Sequence, residues 1–146
     1  MKLPSFHDDH VVGYEVNVEA RRIVLKIKAA QGSSISSVVF NDIARYCFVN
    51  DALGNIVYAL EQVRPGDVIL EFKEQIAESY RQSGAPGPWA GDLTTASRKL
   101  EEQGISGFVL SSSFGMSGWV LAANAAVVLA QPTLQADGHA SGVPAA

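Results

Sequence analysis

The chain has one cysteine, Cys47, so no internal disulfide can staple it, and its thiol usage fits a reducing cytoplasm. It has no basic excess either. Eleven Lys and Arg stand against fifteen Asp and Glu, for a net charge of -4 and a pI near 5.3. A weakly acidic protein gains nothing from a phosphate backbone, which argues against nucleic acid as a partner. No charged residue falls between Glu102 and Asp137, so most of Ile105 to Ala130 is expected to be buried. That stretch still lacks an unbroken apolar run. Ser111, Ser112, Ser113, Ser117, Asn124 and several glycines interrupt it, and no basic cluster flanks it, which argues against a membrane span of ~20 residues. The opening MKLPSFHDDH has one Lys and no apolar core, so a secretory signal is not expected. Hydrophobic content of 47% with 18% charged residues excludes global disorder, and 146 residues suit one domain.

The uncharged stretch organises the rest. Phe108-Val109-Leu110 and Trp119-Val120-Leu121 have strand chemistry, and Ser111 to Gly118 between them is rich in turn formers. The pattern predicts a hairpin of central strands, covered on both faces. Before it, Val12, Tyr14, Val16 and Val18 alternate with Glu15, Asn17 and Glu19. After a turn at Arg21-Arg22, Ile23, Leu25 and Ile27 alternate with Lys26 and Lys28. A hairpin with one wet face follows, its acidic strand facing a basic one. Lys26 and Lys28 read as a solvated face rather than a ligand patch. Ile35 to Val49 is strand-like but long, and Asn41-Asp42 predicts a bulge or tight turn. Asn50 to Asn55 reads as a turn into a strand with Ile56, Tyr58 and Leu60 inward. The period then changes. Val68, Phe72, Ile76 and Tyr80 recur every fourth residue behind Pro65, and Asp92 can cap a second helix that stops at Gly104. The expected fold is α+β: an antiparallel sheet made of an N-terminal four-strand meander and a C-terminal hairpin, with two α-helices inserted between them. Residues 1–130 form a single domain, and residues 131–146 read as a flexible tail.

Each chemically suggestive group has a plainer reading. His7-Asp8-Asp9-His10 could contribute metal ligands, but in an extended chain the four side chains alternate and cannot converge, so a polar lead-in is preferred. Ser111, Ser112, Ser113 and Ser117 show no nucleophile motif and read as turn formers. Cys47 has no identifiable thiolate-stabilising partner and reads as a core residue. Trp89, between prolines and glycines, reads equally as a partner anchor or as a lid over the core. No acid/base pair, metal spacing or nucleophile exceeds these plainer readings, so no cofactor and no metal is expected.

Four segments, Pro4 to Asp8, Asn50 to Ile56, Ser79 to Ala85 and Ser111 to Trp119, resemble small bacterial proteins that open with a Phe-His-Asp segment followed by a β-meander. The resemblance covers roughly residues 4–130 and implies no activity. Some similarly sized Phe-His-Asp proteins look like immunity or accessory partners of toxins, an analogy of class only. The expectation is a cytoplasmic, non-catalytic binding protein whose partner is another protein or itself, with neither nucleic acid nor membrane as partner. Its groups are His7, Asp8, Tyr80, Arg81, Trp89, Ser112 and Ser113, with Arg81 anchoring an acidic ligand or competing for Glu78. The alternatives are a small-molecule-binding protein or enzyme with a pocket lined by His7, Asp8, Tyr80, Arg81 and Trp89, or a homo-oligomer joined through the uncharged hairpin.

Overall fold

The computed structural model describes residues 3–83 and 93–129, with the backbone alone at Tyr80 and Ser83. The expected tail, the Asp92 cap and Trp89 all lie outside the described residues. Within them the chain forms β1 (His10–Asn17), β2 (Arg22–Lys28), β3 (Ile35–Val49), β4 (Asn55–Val63), α1 (Pro65–Glu71), α2 (Lys73–Ser83), α3 (Leu93–Glu102), β5 (Ser106–Phe114) and β6 (Ser117–Leu129).

These strands close into a six-stranded antiparallel barrel in the order β1-β2-β3-β6-β5-β4, which corrects the expected α+β sheet with a four-strand meander. Only β1, β2 and β3 form a meander. β4 does not return beside β3; it pairs with β1 at His10–Val11 and with β5 along most of its length. The spatial order 4-1-2-3 is a Greek key, and Asn50 to Gly54 is the crossover that produces it. Alternation fixes which residues face inward, but it does not say which strand lies next to which.

The long strand β3 makes closure possible. Its first half, Ile35 to Asn41, pairs with β2, while β6 accompanies it from Ser36 to Val49. Asp42 takes a left-handed conformation (φ 54°) and the β3–β6 register slips between Ile43 and Arg45. The Asn41-Asp42 break is therefore a bulge, and it bends a strand that continues to Val49. Near the hairpin turn β6 is drawn in tightly, since a Cβ on Gly118 would lie 2.1 Å from the Cys47 carbonyl oxygen.

Bulges also account for the misplaced side chains. Ile23, Leu25 and Ile27 are fully buried, as their alternation predicts. On β1 the register shifts between Val11 and Gly13, so Val11 is buried while Val12 is turned out. Val18 lies past the end of the strand and is exposed. The anticipated charge ladder is out of step, because Glu15 stands opposite Val24 and Lys26 opposite Gly13. On β4 the slips on both sides of Val57 put Val57 inside and Tyr58 outside, where Tyr58 is 58% exposed. A one-residue slip reverses the face of every side chain beyond it.

The C-terminal hairpin is covered on both faces, as its lack of charge predicts. Phe108, Leu110, Val120 and Ala122 join Leu25, Phe40 and Val57 inside the barrel. Trp119 and Leu121 point outward into a second core with Val68, Ile69, Ile76, Ala96 and Leu100 of the helices. The turn is shorter than expected, because Ser111, Ser112 and Ser113 belong to β5. The single stripe predicted from Pro65 is split at Phe72, where φ is -108° and ψ 21°. Three helices therefore stand among the described residues where two were expected. The stripe of Val68, Phe72 and Ile76 survives the break because the Phe72 N–H still donates to the Val68 carbonyl, and the Ile76 N–H to the Phe72 carbonyl, each at 3.0 Å.

Candidate functional site

One buried polar side chain ties the crossover to the barrel. The amide oxygen of Asn55 accepts from the Ala52 N–H at 2.9 Å and from the Met116 N–H at 2.8 Å, and its Nδ2 donates to the Asp51 carboxylate at 3.0 Å. Gly115 has φ 85°, and a Cβ there would meet the Asn55 oxygen at 2.3 Å. Asn55 is thus fully satisfied by backbone and Asp51, which assigns it to structure and fixes where the crossover lies.

The crossover leaves β1 incompletely flanked. Among the described residues, β4 accompanies β1 only at His10–Val11, and no backbone partner meets the outer edge of β1 from Val12 to Asn17. β3 likewise has lost β2 from Arg45 to Val49. Three inward-facing aromatic residues line this mouth. Tyr14 packs edge-on against Phe48 with ring centres 5.2 Å apart, and Tyr46 lies 5.6 Å from Phe48. Tyr14 and Tyr46 both remain 38% exposed although their strand positions face the interior.

A cleft lies at each end of the mouth. The first, about 880 Å³, is lined by the start of β1, the Lys28 to Gly32 segment and Asp51 to Asn55, with His10, Tyr14, Lys28 and Asp51 as its functional groups. The second, about 540 Å³, runs beneath the β1–β2 turn and is bordered by Val16, Arg21, Arg22, Ile43, Arg45 and Tyr46. Both volumes fall in the range of ligand-binding clefts. The Tyr14 hydroxyl is pushed above its ordinary pKa, first by burial and then by the nearby negative charge of Asp51, so it stays neutral. Arg21 has Nε and Nη2 on the Ile43 carbonyl at 3.1 and 2.9 Å, and Arg45 donates to Ser79 at 2.7 Å. Arg22 stands on the outer face of β2 between Asn17 and Asn41.

Of the residues expected to form the site, Trp89 and the Tyr80 side chain lie outside the described residues, and the others are placed on several elements. His7 and Asp8 sit in a turn closed by the Asp9 N–H donating to Phe6, and this turn adds to the edge of β4. Asp8 N–H donates to Val57, Val57 N–H donates to Asp9, and His7 Nδ1 lies 3.0 Å from the Tyr58 carbonyl. Asp9 accepts from the Ala30 N–H, so one carboxylate of the group holds the β2–β3 loop. Among the described residues no three such side chains are grouped to hold a metal. Ser112 lies across from Val57 on the β5 side, so β4 stands between it and the His7-Asp8 turn; its hydroxyl donates to the Gly115 carbonyl, and Ser113 is exposed. Arg81 is on α2, ion-paired with Glu78 one turn earlier, and no described contact joins it to His7, Asp8 or Ser112. The mouth itself was missed. Its signal in the sequence was the pair of aromatic positions Tyr46 and Phe48 at the end of a strand too long for its partner. Comparisons with protein families, curated proteins and solved structures find no match to this chain.

Proposed function

We propose that the protein is a non-catalytic interaction module that holds a partner protein at the mouth beside β1. The observation that supports this is the partly exposed trio Tyr14, Tyr46 and Phe48 between two strand edges that have no described backbone partner. Aromatic groups with a polar rim are the composition of protein contact surfaces. Two further features favour binding over chemistry. Tyr14 and Cys47 are both shifted upward by burial, away from the range of a base or a thiolate nucleophile. The barrel interior is packed with Phe40, Phe108, Leu25 and Ile27, so a ligand would be taken at the surface.

A random-peptide display library selected on the whole protein tests the reading. The selected peptides are expected to shift the backbone amides of residues 12–18 and 43–49, and Tyr46→Ala combined with Tyr14→Ser should weaken them about tenfold or more. Peptides that map instead to the outer faces of the helices would overturn it.

A further inference from the structure

We infer that the partner is held as an added β-strand: an extended, acidic segment of another protein pairs with the outer edge of β1 and lays apolar side chains on Tyr14, Tyr46 and Phe48. The inference rests on the interaction reading above and supplies its chemistry. Three observations converge on it.

The first is the backbone. From Val12 to Asn17, β1 has β2 on one edge and no described backbone partner on the other. A strand edge presents alternating N–H and C=O groups at fixed spacing, and an extended chain is the partner that satisfies them in series. The devices that usually blunt an edge are concentrated at one end here. The bulge at Val12–Gly13 distorts the start, while Tyr14 to Asn17 runs in unbroken register with β2, without proline and with Glu15, on the face away from Tyr14 and Val16, as its one charged residue.

The second is the side-chain row. Paired and inward-facing residues Tyr14 and Val16 lie on the same side of β1 as Ile23 and Leu25 of β2, yet Tyr14 is not covered. A strand added at this edge would alternate side chains in and out. Its inward residues would reach the Tyr14–Phe48–Tyr46 cluster and complete the wall that β4 leaves open.

The third is charge. The net charge of the chain is negative, but the cleft at the hairpin end of this edge is bordered by Arg21, Arg22 and Arg45, with Glu19 as its one acidic residue. Arg21 is held by its Nε and Nη2 on the Ile43 carbonyl, which leaves the other guanidinium edge to accept a carboxylate without reordering the side chain. Arg22 makes no ion pair among the described residues. The occupant best matched to this rim carries Asp or Glu beside its apolar residues.

The test uses the full chain and synthetic peptides taken from the library selection. Peptides that bind at β1 are expected to alternate apolar and acidic residues, and to lose about tenfold or more in affinity when the amides on one edge are N-methylated. Replacing their acids by Lys should cost a similar factor, and Arg22→Ser in the protein should remove most of that difference. Amide exchange of residues 14–17 should slow on binding. Peptides that bind the mouth but tolerate N-methylation on either edge would overturn strand addition while leaving the interaction reading intact. Selected peptides that carry Lys and Arg in place of acids would overturn the acidic assignment. A protein that sediments as a dimer, and becomes monomeric when Val16 is changed to Pro while the melting curve keeps its cooperative transition, would assign the edge to a second copy and overturn the proposal. Peptides that never map to this mouth would remove both readings together.

Discussion

Asn55 and Gly115 form the tightest local argument in the molecule, because a side-chain amide and a missing Cβ occupy the same space. Asn55→Ala leaves the buried Met116 N–H and the Ala52 N–H without their acceptor, and it is expected to cost about 2–4 kcal/mol in equilibrium denaturation. Gly115→Ala should cost more than ~1 kcal/mol, from the positive φ and from the clash with the amide. The double variant should be less destabilised than the sum, since removing the amide removes the clash but not the φ penalty. A loss equal to the sum would mean that the two residues act separately. Cys47 gives a second test at this scale. Burial raises its pKa and the nearby Arg45 lowers it by less, so the thiolate is scarcer at neutral pH than for a free cysteine. Its reaction with a thiol reagent should be slow near pH 7 and should rise through a midpoint above the ordinary thiol value. A midpoint below that value would contradict the burial.

The hairpin β5–β6 is the element that joins the two cores. Phe108 and Leu110 fill the barrel, while Trp119 and Leu121 support the helices from outside. Trp119 is 1% exposed, and its indole N–H donates to Gln75 of α2 at 2.7 Å. Trp119→Ala is expected to cost ~3–5 kcal/mol, and Trp119→Phe less because most of the apolar surface stays buried. The loss should be uneven. Hydrogen exchange should speed up first in α1 and α2, which rest on the indole, and later in β1 and β2, which do not touch it. A uniform loss would place Trp119 in the barrel core. Gly107 shows how close this packing is, since a Cβ there would lie 2.5 Å from Val68 of α1.

At the scale of the whole molecule, the barrel closes on pairings far apart in sequence, such as Ser36 with Leu129 and Val11 with Asn55. Such pairings require loop closure before they stabilise anything, so refolding is expected in milliseconds to seconds by stopped-flow fluorescence, and not in microseconds. The seam should also be the weakest part of the wall. β1 and β4 meet over a short overlap extended by the Asp8 and Val57 hydrogen bonds, whereas β3 and β6 pair along nearly their whole length. The Asp8 and Val57 amides should therefore exchange well ahead of those in the β3–β6 ladder. No helix among the described residues is long and apolar enough to cross a membrane.

The sequence by itself determined the local structure of this protein. The alternation of Ile23, Leu25 and Ile27, the break at Asn41-Asp42, the helical period from Pro65, the stop at Gly104 and the double-sided burial of Phe108 and Trp119 all follow from side-chain chemistry within a few residues. The tertiary structure decided the rest. Whether β4 returned beside β3 or crossed to β1 is a matter of pairings between strands distant in sequence, and a periodicity of two carries no information about them. The faces of Val12 and Tyr58 depended on bulges, which are set by the pairing and not by propensity. The mouth at Tyr14, Tyr46 and Phe48 exists because β3 outruns β2 while β4 overlaps β1 only briefly. It is a relation between strand lengths, and it appears only once the strands are placed side by side.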